Sequence, residues 1–213
     1  MTAPFGVVAI TDPGLPDWIE LATQAIQAGV PWLQLRAHPI SRDDRLRAAQ
    51  LLAPACAQSR TRLLINGDLE IAIAVSAAGL HLPRSAPPAT TLRRRAVALG
   101  RSETLTIVRS CHYLDQLTDA HQEGADAATL SPIFPPGSKP DDTRPTLGVS
   151  KLADACARAP LPVIALGGIT PARVAACRRA GAAGVATISG VFGDPEDVPR
   201  ATEALCRAWE LAV

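Results

Sequence analysis

Eight short apolar runs recur along this chain: FGVVAI (5–10), PWLQLR (31–36), RLLIN (62–66), AGLHL (78–82), LTIVRS (105–110), DAATLS (126–131), LPVIAL (161–166) and AGVATIS (183–189). Stretches rich in Ala, Leu and Arg separate them, among them DWIELATQAIQAG, RDDRLRAAQLLAPACA, LDQLTDAHQEGA and PEDVPRATEALCRAWEL. Their apolar residues fall at three- and four-residue spacing, the helical period. Runs with little alternation read as strands buried on both faces, and strand alternating with helix implies parallel pairing through right-handed crossovers. Eight such units in 213 residues predict a single (β/α)8 TIM barrel covering 1–213, class α/β. An open doubly wound sheet is the alternative, but its strands usually number nearer six.

Punctuation divides the chain in the same way. Gly29, Gly79, Gly124 and Gly181 are each expected at a helix C-terminus, where a left-handed residue is favoured. The Pro-rich pieces at 83–88 and 132–145 read as loops within the repeat, not as linkers. The second is long for a connection after a barrel strand and lies on the face where barrel active sites form.

With a formal charge of +1, the chain has no global field to recruit nucleic acid or an anionic membrane, so an anion must be held locally. No run reaches the ~18 apolar residues of a membrane span and no basic-then-apolar leader opens the chain, so the expectation is a cytoplasmic protein. Five widely spaced cysteines without a C-x-x-C pair suit reduced thiols, and neither a disulfide framework nor a metal site is expected from them. Aromatic residues at 3% leave little for stacking nucleic-acid bases.

The stretch VIALGGITPARV (163–174) carries the clearest chemical signal. Glycines after the seventh strand let backbone N–H groups approach an anion, and Ile188-Ser189-Gly190 follows the eighth, where barrels commonly hold phosphate. Gly167, Gly168, Ile188, Ser189 and Gly190 are therefore candidate phosphate ligands. Two glycines also permit a tight turn, with Thr170 as the expected helix cap and Pro171 at the first helical position. Other polar residues read as ordinary: His81 as barrel packing, His121 and Arg93-Arg94-Arg95 as solvated helix faces, and Asp141-Asp142 as loop solubility. Asp12 sits at the catalytic face without an assigned role.

ITD (10–12), QLR (34–36), LIN (64–66), GLHL (79–82), SCH (110–112), SPIF…SK (131–139), ALGGIT (165–170) and ATISG (186–190) together resemble, in order, the strand-end motifs of the thiamin phosphate synthase/TenI family. That resemblance spans nearly the whole chain. It implies a barrel that binds a phosphorylated thiazole or thiamin phosphate. Synthases join the thiazole to an aminopyrimidine carrying a Mg²⁺-bound pyrophosphate, whereas known TenI members isomerise the thiazole carboxylate phosphate. Carried onto this chain, the resemblance makes Arg36, Asn66 and Ser110 substrate-binding residues, with Arg36 and Asn66 facing the pyrophosphate. Ser138 and Lys139 match the hydroxyl and lysine of the loop after strand six, and are taken as catalytic residues closing over the phosphate.

The departures fall in the pyrophosphate half. Asn66-Gly67 and Pro83-Arg84-Ser85-Ala86 stand where a synthase has its metal-binding aspartates, Ala37-His38 lacks the expected lysine, and Pro136 replaces a threonine. Asp68 lies one residue along, but a one-residue shift at a strand end redirects a side chain. Pro132 stands where the TenI branch carries a proton-transferring histidine, so His112, with Cys111 beside it, becomes the candidate acid/base. The expectation is thus a TenI-like, thiazole tautomerase-like protein needing no cofactor. Two alternatives stay open: a divergent thiamin phosphate synthase using Mg²⁺, and a non-catalytic binder of phosphorylated ligands. The oligomeric state is left open.

Overall fold

A computed structural model describes residues 5–36, 39–101, 105–135 and 144–212. Among them the strands are β1 Gly6–Ile10, β2 Trp32–Leu35, β3 Arg62–Asn66, β4 Gly79–Leu82, β5 Thr106–Cys111, β6 Ala127–Leu130, β7 Val163–Leu166 and β8 Gly184–Thr187. Each falls within an expected apolar run or reaches one residue past it. All neighbours pair in parallel, and β1 closes on β8 through Val7 opposite Val185 and Ala9 opposite Thr187. That pairing makes the sheet a barrel and removes the open-sheet alternative.

Helices return the chain between strands: α1 Trp18–Gln27, α2 Arg42–Ser59, α3 Leu69–Ala74, α4 Ala89–Ala98, α5 Asp115–Gln122, α6 Gly148–Arg158 and α7 Pro171–Arg179. After β8 come the short α8, Ser189–Phe192, and α9, Val198–Leu211. The two-residue period of each strand sorts its side chains into two packed layers. Val7, Ala9, Leu33, Leu35, Ile65, Leu80, Leu82 and Ile107 face the helices in one cluster. Val8, Ile10, Trp32, Leu64, Val108, Ala127, Ile164 and Ala186 fill the barrel interior in a second. At the N-terminal end of the strands, Phe5 stacks on Trp32 at 5.1 Å and the Arg62 guanidinium covers that indole at 4.2 Å. This end is plugged by apolar and aromatic groups, each large side chain contributing ~1.5–3 kcal/mol on burial. The opposite end is where polar residues enter the barrel.

Two local expectations are corrected. Gly29, Gly124 and Gly181 do take left-handed φ of 81°, 86° and 90°, but Gly79 instead opens β4, and Ser76 supplies the left-handed residue ahead of it. Gly79 is required by contact: a Cβ there would lie 2.5 Å from Leu64 Cδ2 and 2.6 Å from the Thr106 carbonyl. Thr170 holds the cap position of α7 in extended conformation, yet its exposed side chain makes no capping hydrogen bond. Pro171 removes one of the unpaired N–H groups of the first turn, and the Arg173 N–H is met by the Thr170 carbonyl at 2.9 Å.

Candidate functional site

A cavity of about 510 Å³ opens at the C-terminal ends of the strands. Its floor is a polar layer made by inward positions of successive strands: Gln34 on β2, Asn66 on β3, His81 on β4 and Ser110 on β5, with Thr129 of β6 beneath. The Asn66 side-chain oxygen accepts from Gln34 Nε2 at 3.2 Å and faces His81 Nδ1 at 3.0 Å. A carbonyl oxygen cannot donate, so this shorter contact places the proton on Nδ1, and Gln34 Nε2, 3.3 Å from the same nitrogen, directs its hydrogen to Asn66 instead. Nε2 is then the acceptor facing the hydroxyls of Ser110 and Thr129, both at 3.4 Å. His81 is therefore part of the site and not mere packing. Burial, and secondarily the nearby Arg36 charge, lower its pKa to about 4, so the ring is neutral at neutral pH.

One wall is backbone. Gly167 and Gly168 take φ of 103° and 61° immediately after β7. A Cβ on Gly168 would sit 2.4 Å from the Pro135 carbonyl, and one on Gly167 2.9 Å from Pro132 Cα. The bare turn lets the β6 loop dock, with Ile133 N–H on the Leu166 carbonyl at 2.9 Å and Phe134 N–H on that of Gly167 at 3.1 Å. Gly167, Gly168, Ile188 and Ser189 all line the cavity. Gly190 does not, and its N–H already donates to Thr187 Oγ1 at 3.0 Å. A Cβ on Gly190 would come within 2.5 Å of the Ile169 carbonyl, so close packing alone accounts for this glycine.

The facing wall is cationic. Arg36 at the end of β2, Arg45 in the first turns of α2 and Arg84 in the loop after β4 line the cavity, and Arg144 borders it beside His112. No aspartate or glutamate lines it among the described residues. Arg84 is held in place from behind. Buried Arg109 donates to the carbonyls of Arg84, Ala86 and Pro87 at 3.2, 2.8 and 2.9 Å, strapping the loop to β5. Glu123 lies 3.0 Å from the same guanidinium, an ion pair by distance but not aligned as a hydrogen bond.

Glycine backbone on one side and arginines on the other give the barrel mouth the positive charge and hydrogen-bond donors that suit an anion. A family profile described as thiamine monophosphate synthase matches residues 7–191. The chain belongs to the thiamin phosphate synthase/TenI family. It is 37% identical to a thiamine-phosphate synthase of Chlorobium phaeovibrioides over 205 residues, covering 94% of this chain and 92% of that one. It is 36% identical to a thiamine-phosphate synthase of a Synechococcus strain over 197 residues, which is 90% of this chain but only 54% of that longer protein. In fold it is similar to a thiamine phosphate pyrophosphorylase from Pyrococcus furiosus, with a TM-score of 0.86, 24% identity, and 98% and 97% of the two chains covered.

For a thiamin phosphate synthase/TenI protein, the residues present do not fit a carboxylate-held Mg²⁺. Asp68 caps α3 by accepting from Ile71 N–H at 3.0 Å and is paired with Arg42 at 2.9 Å. Asp12 accepts from Gly14 N–H at 3.1 Å. Neither lines the cavity, and no group of three potential metal ligands exists among the described residues. Asp141 and Asp142 lie outside the described residues, as do Ser138 and Lys139.

Pro132, at the position where the resemblance to the TenI branch expects a histidine, lines the cavity, and so does His112, which faces the neighbouring Ser131. Arg144 Nη1 lies 2.7 Å from Nδ1 and 3.1 Å from Nε2, while Nδ1 also faces the Ser131 carbonyl at 3.0 Å. Guanidinium nitrogens only donate, so no single tautomer satisfies every contact: a proton on Nδ1 meets the Ser131 carbonyl but faces Arg144 Nη1, whereas a proton on Nε2 frees Nδ1 to accept from Arg144. Arg144 lies against both ring nitrogens in either case. Cys111 is buried, its thiol pushed up to about 12 by desolvation, which leaves it protonated and unsuited to proton exchange. The other thiols are raised by burial as well, to about 12 for Cys56 and about 11 for Cys156, Cys177 and Cys206. Among the described residues all the cysteines are free, and no helix is long and apolar enough to cross a membrane.

Proposed function

We propose that this protein is a thiamin phosphate synthase-type transferase, joining a phosphorylated thiazole to an aminopyrimidine diphosphate. The observation that carries this reading is the two-sided cavity: glycine turns on one side, arginines on the other, and a hydrogen-bonding floor of Gln34, Asn66, His81 and Ser110 between them. A volume of about 510 Å³ lies within the range of small-molecule sites, and a single phosphorylated ring would leave one charged wall without a partner. In this reading Gly167, Gly168, Ile188 and Ser189 hold the thiazole phosphate, and Arg36, Asn66 and Ser110 face the second substrate. As the bond to the pyrimidine breaks, negative charge grows on the departing diphosphate, and the arginines stand where they can stabilise it. Ser138 and Lys139 remain proposed lid residues. The names of the relatives support the same reaction, which was the alternative and not the leading expectation from sequence.

The tautomerase reading has weaker support because Arg144 lies against both ring nitrogens of His112, the group that would move the proton. The missing carboxylates favour one rival, a non-catalytic binder of thiamin phosphate. The test is to incubate the protein with aminopyrimidine diphosphate, aromatic thiazole phosphate and Mg²⁺, beside an active synthase, and to read thiamin phosphate as its fluorescent oxidation product. Turnover is the expected result. Tight thiamin phosphate binding with no turnover would replace the transferase with the binder.

A further inference from the structure

The arginine wall and the unfit of the site for Mg²⁺ share one explanation. Arg36 and Arg45 are half-buried against the cavity, and among the described residues neither guanidinium has an ion-pair partner. Arg45 lines the cavity, and its Nε is buried behind that surface with no hydrogen-bond partner. A cation anchored this way gains most from an anion that meets the accessible part of its guanidinium. Arg84, whose Nη2 lies 3.4 Å from Asp119 on α5, occupies the loop where the resemblance puts a synthase's metal-binding carboxylate, and Arg109 fixes that loop's backbone through its carbonyls. Each guanidinium presents a planar fork suited to two phosphate oxygens. A divalent cation among these charges would meet repulsion, with no carboxylate lining the cavity among the described residues to offset it.

We propose that Arg36, Arg45 and Arg84 bind a diphosphate directly, taking the place of the divalent cation, so that this chain recognises its diphosphate ligand without metal. The inference rests on the two-sided reading of the cavity, but it concerns binding alone. It is tested with inorganic pyrophosphate as the probe, titrated calorimetrically into the full-length protein in EDTA and again in excess Mg²⁺. To keep the glycine wall out of the signal, the titration is repeated with Ser189→Glu.

One-site binding is expected in EDTA, no weaker than in Mg²⁺ and retained in Ser189→Glu. Arg84→Ala and Arg45→Gln should each weaken it ~10-fold and the pair ~100-fold, in line with charge-assisted hydrogen bonds of ~1.5–3 kcal/mol. Arg94→Ala, exposed on α4 away from the cavity, should change nothing. Thermal melts show that each variant is folded, and should Arg45→Gln fail to fold, Arg84→Glu supplies the same test from an exposed position. Binding that appears only with Mg²⁺, or that survives the double variant unchanged, would overturn the proposal. Metal-free binding without thiamin phosphate formation would instead remove the transferase and leave this inference standing.

Discussion

The two walls of the cavity bring charge and hydrogen-bond donors to a ligand in opposite ways. The β7–β8 wall is made of turns: Gly167 and Gly168 sit at positive φ, and a Cβ on either would collide with the β6 loop. The β2–β4 wall is made of long side chains carried by a strand end, a helix and a strapped loop. A backbone wall cannot be altered without disturbing the fold, whereas a side-chain wall can change its chemistry one residue at a time. That difference fits the pattern in this chain, where the glycine motifs follow the family while the β2–β4 wall departs from it at Ala37-His38, Gly67 and Pro83-Arg84-Ser85-Ala86.

The largest effect should come from Gly168→Val, which places a branched side chain at φ 61° and against the Pro135 carbonyl. A loss of ~3 kcal/mol of stability is expected, together with loss of thiazole phosphate binding, read by denaturant unfolding and calorimetry. Ser189→Glu should separate these two consequences. Ser189 is exposed at the start of a short helix, so melting should be unchanged while thiazole phosphate binding weakens ~100-fold through charge repulsion and bulk.

The floor joining the walls should show its own pH signature. Folded His81 has its pKa lowered to about 4 from an ordinary 6.5, so between these values the unfolded chain binds more protons than the folded one. Stability contributed by the neutral ring is complete above pH 6.5 and is lost as pH falls toward about 4, by on the order of 2 kcal/mol. Unfolding curves at pH 7 and pH 4.5 should show this slope, and His81→Gln should flatten it. The smallest expected effect is ionic. Raising salt from ~0.05 to ~0.3 M should weaken pyrophosphate binding several-fold, and thiazole phosphate binding less, because guanidinium contacts at a cavity mouth are screened more than backbone N–H contacts.

Much of this was legible in the sequence, and the rest was hidden for a physical reason. Apolar runs and helix-breaking glycines are local signals, so all eight strands and the Gly167-Gly168 turn could be read directly. His81 could not, because GLHL reads as a wholly apolar strand until barrel closure decides that Leu80 and Leu82 face the helices and the ring faces in. The inward alternation of Gln34 with Arg36 and of Ser110 with His112 was the available signal. Arg84 was legible only as a missing carboxylate. Arg45 carried no signal, since an arginine near the start of a helix usually faces water. Gly79 was misread, and Thr170 takes its expected cap position without the capping bond, for a related reason: their surroundings, not their residue types, decide what they do.

The most direct measurement is a competition titration. Thiazole phosphate is titrated into protein alone and into protein saturated with inorganic pyrophosphate in EDTA. Two separate anion walls predict a ternary complex, with thiazole phosphate still binding one to one and its affinity altered by less than ~10-fold. Mutual exclusion, with apparent affinity falling in proportion to pyrophosphate concentration, would mean that both anions share one site and would contradict the account.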